Sequence, residues 1–345
     1  MMNTTNAEPV IEPVTEPVIE ATTGAPLVVV FNVGAGHGKA DDVRATLRDG
    51  CAKAGRTLQL LEVQDPKHLA RIAAQAVAQA QKSGGVVVAA GGDGTINTVA
   101  QATLGSGCQF GVLPQGTFNY FARTHGIPAD THEALQVLLA GHHQPAQVGL
   151  VGERVFLVNA SLGLYPRLLE DREEWKRQFG RSRLVAFGAG LDSLLRGHRS
   201  LRLRVEAQGQ ERELRTPTLF VGNNALQLQQ LGLPEAHDID AGHMAAIALR
   251  PVGLLRMLGL LWRGAFGRLG EADELIHLAT RQLTVRPGRR LGSWRSQHIK
   301  VATDGEVSWM HLPLTFCVAP QTLDLLRPPT PAPERNIGAP TERAG

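Results

Sequence analysis

Three glycines around one aspartate, Gly91-Gly92-Asp93-Gly94-Thr95, form the stretch of this chain whose residue types best suit chemistry. The uncharged apolar run Val86–Ala90 precedes them and reads as a strand buried on both faces. Thr95 could cap a helix running through Val99, Ala100 and Leu104. A strand-to-helix turn with so little side chain lets a ligand approach the backbone, and the free N–H groups at the helix start suit phosphate oxygens. Asp93 is the one charge in the turn. A carboxylate beside bound phosphates repels them unless a metal ion or a donor lies between, so the turn reads as a nucleotide-phosphate site with Mg²⁺ near Asp93. The alternative is a tight turn whose aspartate only caps the helix.

A second glycine-rich turn, Asn32-Val33-Gly34-Ala35-Gly36-His37-Gly38-Lys39, follows the strand Leu27–Phe31. It is not a Walker A loop, because Ala40 stands where Ser or Thr must hold Mg²⁺, and its glycines miss the GxGxxG spacing. An anion cradle with Lys39 as phosphate partner and a plain βα turn both fit it.

The elements that must position these turns alternate in kind. Strands are expected at Leu27–Phe31, Leu58–Leu61, Val86–Ala90 and Phe110–Leu113, with helices at Ala40–Ala54, Pro66–Gln81 and Glu133–Leu139 between and after them. That rhythm means a parallel sheet covered by helices, with ligands at the carboxyl ends of its strands. The turns at 32–38 and 91–94 and the turn Pro114–Asn119 all fall on that edge. From about Val148 the pattern changes to strands such as Val155–Ala160, Leu201–Val205, Leu219–Val221, Ala245–Leu249, Leu283–Val285, Ile299–Val301 and Leu314–Val318. Most of their connections lack room for a helix, as in an antiparallel sandwich. Helical insertions are expected at about 167–178 and 184–196. The expected division is a leader over 1–25, an α/β nucleotide-binding domain over 26–148, a β-sandwich domain over 149–320 and a Pro-rich tail over 321–345 whose start could pack back on the first domain. Pro at the density of Glu8-Pro9-Val10, Glu12-Pro13-Val14 and Glu16-Pro17-Val18 forbids helix and sheet, so the leader is read as disordered.

Composition narrows the class. The 345 residues are 43% hydrophobic and 19% charged with a formal net charge of +3, which by itself does not argue for nucleic acid. Cys51, Cys108 and Cys317 have neither disulfide nor zinc spacing and fit a reducing compartment. Residues 1–25 lack a basic n-region and an apolar h-region, and no run approaches a membrane span, so a cytoplasmic protein is expected.

Three motifs in order, Gly91–Thr95, Pro114-Gln115-Gly116-Thr117-Phe118-Asn119-Tyr120-Phe121-Ala122-Arg123 and Asp304-Gly305-Glu306, resemble the diacylglycerol kinase catalytic-domain family of bacterial lipid, sphingosine and ceramide kinases. Val221-Gly222-Asn223-Asn224 and Asp240-Ala241-Gly242 are similar to its weaker sandwich-domain signatures. The resemblance spans about residues 26–320. It implies a phosphofructokinase-like α/β domain before a β-sandwich, with ATP and Mg²⁺ as cofactors and a lipid headgroup in the cleft. Carried over, Gly91, Gly92, Gly94 and Thr95 would cradle the phosphates. Asn32 and Gly36 match the first glycine loop, Thr117 and Asn119 would line the same site, and Asp93 would reach the metal through water. Asp304 would be the base that takes the proton of the lipid hydroxyl, with Glu306 as a second carboxylate for proton or metal handling. Asp304-Gly305 also reads as an ordinary type I′ hairpin turn.

The chain departs from the family at three places: Thr98 follows Asn97 where Glu is usual, Tyr120 replaces an aspartate after Asn119, and Gly149 replaces the aspartate after Val148. Asp93 thereby loses two acidic companions of the family's metal network.

A bilayer substrate calls for a way to sit on one. Arg172–Arg215 holds ten arginines and Lys176 against six acidic residues, and Arg250–Leu269 carries arginines with no acid. If the latter is helical, Leu254, Leu258, Leu261, Ala265 and Leu269 line one side, flanked by Leu255, Trp262 and Phe266, with Arg256 and Arg263 opposite. Such a helix suits an anionic membrane surface; packing on the sandwich is the other reading. Aromatics are not interleaved with the basic residues as nucleic-acid binding would need, and no obligate protein partner is implied. The expected activity is ATP-dependent phosphorylation of a hydroxyl on diacylglycerol, a sphingoid base or a related lipid. The competitors are an NAD kinase-like enzyme, disfavoured by Glu306-Val307-Ser308-Trp309 after Asp304-Gly305, and a catalytically weakened nucleotide- or lipid-binding protein.

Overall fold

The computed structural model describes residues 24–35, 40–164, 166, 200–288 and 298–329. In chain order the first part runs β1 (Leu27–Asn32), α1 (Ala40–Lys53), β2 (Leu58–Val63), α2 (Leu69–Ser83), β3 (Val86–Gly91), α3 (Asp93–Thr103), β4 (Gln109–Pro114), α4 (Tyr120–Thr124), α5 (Thr131–Ala140) and β5 (His143–Ala146). Every residue of β3 is buried, as is all of β1 except Asn32, which is why both strands are written in uninterrupted Val and Ala with single Leu, Phe and Gly residues. Helix α5 starts on Asp130, whose carboxylate accepts from the Glu133 amide, and ends at Gly141 in the left-handed conformation.

The second part contributes β6 (Gly149–Val151), β7 (Arg154–Phe156), β8 (Asn159–Gly163), β9 (Leu201–Ala207), β10 (Gln210–Thr216), β11 (Thr218–Gly222) and β12 (Met244–Leu249). It continues with β13 (Leu275–Thr280), β14 (Gln282–Pro287), β15 (His298–Thr303), β16 (Glu306–His311) and β17 (Leu314–Val318), before a final strand β18 (Leu323–Leu326). The first sheet has the order β2-β1-β3-β4-β18-β5, parallel except for the polar, Pro-bearing edge strand β5. The other two sheets, β10-β9-β14-β17-β6-β7 and β13-β12-β11-β8-β15-β16, are antiparallel and share one core. Phe156, Leu283 and Phe316 of one meet Leu162, Val221 and Val301 of the other.

Three expectations need correction. Val155–Ala160 is not one strand: the chain breaks at Leu157–Val158 between β7 and β8, because the backbone there turns its amides to a side chain far away in sequence. Thr95 does not cap α3. Gly92 is the N-cap, and Thr95 sits inside the first turn, buried, where its hydroxyl accepts from Asn32 Nδ2 at 2.9 Å. In the Leu254–Ala265 helix the buried face is Met257 and Leu260, whereas Leu255, Trp262 and Phe266 are the exposed apolar residues. Leu258 and Leu269 pack at the margin of that buried cluster. The expected insertions at 167–178 and 184–196, the leader over 1–23, the end of the Pro-rich tail and most of the basic Arg172–Arg215 segment lie outside the described residues.

Strand β18 comes after the whole sandwich yet inserts between β4 and β5, with Leu325 completely buried. The fold of the first part therefore depends on residues more than 170 positions beyond β5. Leu325→Ala is expected to cost about 2–5 kcal/mol, the range for a buried leucine truncation, read as a lower urea midpoint. A change below about 1 kcal/mol would mean that the strand is only an ornament on the sheet.

Candidate active site

The register of the first sheet builds the site. Phe31 pairs with Ala90 and Gly91 with Pro114, so the carboxyl ends of β1, β3 and β4 stop side by side. Their loops line one cavity of about 650 Å³ whose wall includes Asn32, Gly34, Gly92, Gly94, Thr95, Gln115, Gly116 and Thr117. Glu306, from the second part of the chain, completes the wall. Gly36 lies outside the described residues. Another cavity, of about 480 Å³ between Glu206 and Arg281, is lined by no residue of these motifs.

Close backbone approach explains two of the glycines. A Cβ on Gly91 would sit 2.6 Å from Thr95 Oγ1, so glycine lets α3 turn back tightly against β3. A Cβ on Gly116 would lie 2.9 Å from Gly92 Cα and 2.7 Å from Asn119 Oδ1, so the two loops touch through bare backbone.

Asp93 opens α3, and its Oδ2 accepts from the Asn119 amide at 3.0 Å. Asn119 can aim that amide because it adopts the left-handed conformation, φ 48°, while its side chain bonds both the N–H and the C=O of Gly116. Asn119 is buried and Thr117 exposed, so Asn119 shapes the loop while Thr117 faces the cavity. Asn32 likewise shapes its own loop: Oδ1 accepts from Gly34 N–H at 3.1 Å while Nδ2 reaches Thr95. Burial pushes the Asp93 carboxyl above the usual carboxylate range, against the pull of the amides around it. Its Oδ1 is buried and has no hydrogen-bond partner among the described residues.

Asp93 does not line the cavity, so a Mg²⁺ held there would need the loop between Gly92 and Gly94 to open, although a carboxylate with an unpaired oxygen is the kind of group Mg²⁺ takes. No group of three potential metal-binding side chains occurs among the described residues. The positions of the two missing aspartates are filled. Gly149 packs under Phe156, whose ring a Cβ would meet at 2.4 Å, and Tyr120 stacks on Phe118 with Arg123 over its face.

Asp304 and Gly305 both have positive φ, 48° and 91°, and make the β15–β16 hairpin turn. Asp304 Oδ2 accepts from Asn97 Nδ2 and Leu157 N–H, each at 2.7 Å, and Oδ1 accepts from Val158 and Asn159 N–H, each at 2.9 Å. Burial raises its pKa and these donors oppose the rise. Glu306, two residues on, is largely exposed, with Oε2 3.6 Å from Arg154 Nη2 and Oε1 beside Gly94. Asn97 and Arg154 are the site residues that sequence reasoning gave no role. Asn97 offered a signal, lying one helical turn after Asp93, whereas Arg154 offered none beyond a charge in a strand.

Residues 26–151 match the model of the family described as diacylglycerol kinase catalytic domain. This stretch is similar to diacylglycerol kinase catalytic domains. Similar proteins include one named "Probable lipid kinase YegS-like" from Klebsiella pneumoniae (strain 342), 42% identical over 79 residues, which are 22% of this chain and 27% of that protein. A second of that name, from Cronobacter sakazakii (strain ATCC BAA-894), is 38% identical over 26% of this chain and 32% of its own. The matches thus span about a quarter to a third of these two relatives. A Staphylococcus aureus (strain JH9) protein named diacylglycerol kinase is 25% identical over 70% of this chain and 74% of its own. The crystal structure of a diacylglycerol kinase from Bacillus anthracis str. Sterne superposes with a TM-score of 0.65 at 17% identity, covering 89% of this chain and 98% of that one. The fold of the catalytic domain followed by antiparallel sheets is therefore shared well beyond residue 151.

Gly116→Ala should wedge the Gly92 and Gly116 loops apart while leaving both cores intact. Titration with a fluorescent ATP analogue is expected to show at least about tenfold weaker binding, on the scale of one lost charge-assisted contact. Unchanged affinity would remove this loop contact from the nucleotide site.

Proposed function

We propose that the protein is an ATP-dependent lipid kinase that transfers the γ-phosphate to a hydroxyl of diacylglycerol, a sphingoid base or a related lipid. The observation that carries this reading is the single cavity in which the glycine loops of a diacylglycerol kinase catalytic domain face Glu306 of the sandwich. In it Gly92, Gly94 and the α3 N-terminus would take the phosphates, with Thr117 and Asn32 beside them. Mg²⁺ held through Asp93 would neutralise phosphate charge. A lipid hydroxyl is a poor nucleophile, so the residues of the cleft must orient it and receive its proton.

Purified protein with Mg-ATP labelled on the γ-phosphate and a panel of lipids in mixed micelles tests this. Label is expected on a lipid hydroxyl; label on NAD, or nucleotide binding with no transfer to anything, would end the reading. Asp93→Asn is expected to raise the Mg²⁺ concentration needed for half-maximal transfer about tenfold or more, and an unshifted Mg²⁺ titration would sink its role.

A membrane-borne substrate also fits the Leu254–Ala265 helix. No helix among the described residues is long and apolar enough to cross a membrane. Yet Leu255, Trp262 and Phe266 stand exposed on this one, the two rings 4.9 Å apart, with Arg256 and Arg263 alongside. Arg256 reaches Glu274 at 3.8 Å and stays three-quarters exposed, within reach of lipid phosphate. An apolar, Trp-bearing stripe bordered by arginine suits shallow insertion into an anionic leaflet, and dependence on ATP supports the cytoplasmic face. Trp262→Ala with Phe266→Ala should reduce co-sedimentation with vesicles containing phosphatidylglycerol and leave transfer to a short-chain soluble lipid unchanged. Equal sedimentation of wild type and variant would free this helix of that role.

A further inference from the structure

The cavity of about 480 Å³ that no motif residue lines has the size of a small-molecule pocket and lies wholly within the second part of the chain. Three separate turns build it. The β9–β10 turn gives Gln208, the approach to β12 gives His243, and the β13–β14 turn gives Arg281 and Gln282. These walls are locked by their own hydrogen bonds. Gln208 Nε2 donates to Ala279 O at 3.0 Å, which ties the first turn to the third. Thr280 Oγ1 donates to Gln282 O at 2.7 Å, so the turn that carries Arg281 is fixed before any ligand arrives.

The charges of the wall are unequal. Glu206 is its one acidic residue, and Arg286 already pairs with that carboxylate. Arg281 is exposed, and neither its guanidinium nor the His243 ring has a hydrogen-bond or ion-pair partner among the described residues. Arg281 also reaches the turn that carries His243: a Cβ on Gly242 would lie 3.4 Å from Arg281 Nη1. A guanidinium fork, an imidazole and the Gln282 amide therefore border one space with their donors unspent. That set suits an anion with three acceptor oxygens, a phosphomonoester, better than the two oxygens of a carboxylate. The volume leaves room for the group that the phosphate esterifies.

The backbone behind these two residues is bonded to the places where the chain passes between its two parts. It leaves β5 for β6 through Gln147 and Val148, and it returns from β17 to β18 through Ala319. The Ala319 amide donates to Val148 O at 2.8 Å, so the two crossings hold each other. Gln147 Nε2 donates to His243 O at 3.0 Å, and the Val318 amide donates to Arg281 O at 2.9 Å. We propose that this cavity is a phosphomonoester-binding site, held by Arg281 and His243 and braced on both crossings, so that a bound ester stiffens the joint between the two parts of the chain. The ester is free in solution or is the head of a lipid; the recognition chemistry is the same. The site stands without the kinase reading, because no residue of the nucleotide cavity takes part in it.

Calorimetric titration of the full-length protein with glycerol 3-phosphate tests this, with and without a saturating non-hydrolysable ATP analogue. Saturable binding is expected in both cases. Arg281→Ala should weaken it at least about tenfold, the scale of one charge-assisted contact, with the urea midpoint unchanged because the side chain is exposed. His243→Ala should weaken it in the same direction, and Arg281→Lys should lose less than Arg281→Ala, since lysine keeps the charge without the fork. At about ten times the Kd, exchange of the Val318 and Ala319 amides should slow about tenfold, the mass-action limit for an opening that must release the ester. Vesicles carrying phosphatidate or phosphatidylglycerol at matched surface charge separate the two sources. A phosphatidate preference that Arg281→Ala removes assigns the site to a lipid head, and its absence beside intact binding of glycerol 3-phosphate assigns it to a free ester. No saturable binding of either, or binding that Arg281→Ala and His243→Ala leave at full strength, would overturn the site. Acetate bound as tightly as glycerol 3-phosphate would refute the choice of phosphate, and ester binding with unaltered exchange at Val318 and Ala319 would refute the brace.

Discussion

A charged group can remain inside a protein when every lone pair it carries is met by a donor, and the cost of an unmet one is high. Asp304 satisfies that condition only because three consecutive amides at Leu157–Asn159 and the Asn97 side chain converge on it. Much else follows from the convergence. It spans the break between β7 and β8, it joins α3 to that break through Asn97, and it holds the β15–β16 turn against both. The same contact delivers Glu306 to the rim of a cavity otherwise made wholly by the first part of the chain.

A second joint works in parallel on the other side of the cleft. Asn224 caps the Ala225–Gln230 helix through the Gln227 amide, accepts from Thr124 Oγ1 at 2.9 Å and donates to Tyr120 O. Asn223, buried beside it, bonds Gln147 and Leu157 O. The weak Val221–Asn224 signature therefore has a physical meaning: of two adjacent amide side chains, Asn224 ties the sandwich to α4 and Asn223 ties it to Gln147. Polar side chains at a domain joint constrain geometry more sharply than apolar packing does, because each needs its partner at a defined distance and angle.

The first part of the chain obeys a different constraint, that of backbone approach. Loops after β3 and β4 come within contact because Gly116 carries no side chain, and Asn119 then locks the second loop onto Asp93. The two family aspartates that are absent have been replaced by packing. Phe156 occupies the space beside Gly149, and Tyr120 joins a stack with Phe118. An aspartate restored at 149 would have to displace a fully buried ring.

Local chemistry by itself determined the parallel sheet, its glycine turns and their common edge. Strands buried on both faces must be written in unbroken apolar residues, and turns that touch a ligand must be written in glycine. The motif order Gly91–Thr95, Pro114–Arg123 and Asp304–Glu306 was legible for the same reason, since each is a short run with its own backbone demands. Strand β5 was not legible, because His143-Gln144-Pro145-Ala146 is polar and gains its form only by pairing with β18, about 180 residues away. Nor was the contrast in surroundings between Asp304 and Glu306. Both are acids in one hairpin, and only the fold supplies the donors that bury one and leave the other at the cleft. Asn97 and Asp304 meet across a sequence separation of 207 residues, a contact that no local pattern encodes. Hydrophobic periodicity and turn chemistry are local properties of a chain. The partners of a buried charge are not, and they belong to the tertiary structure alone.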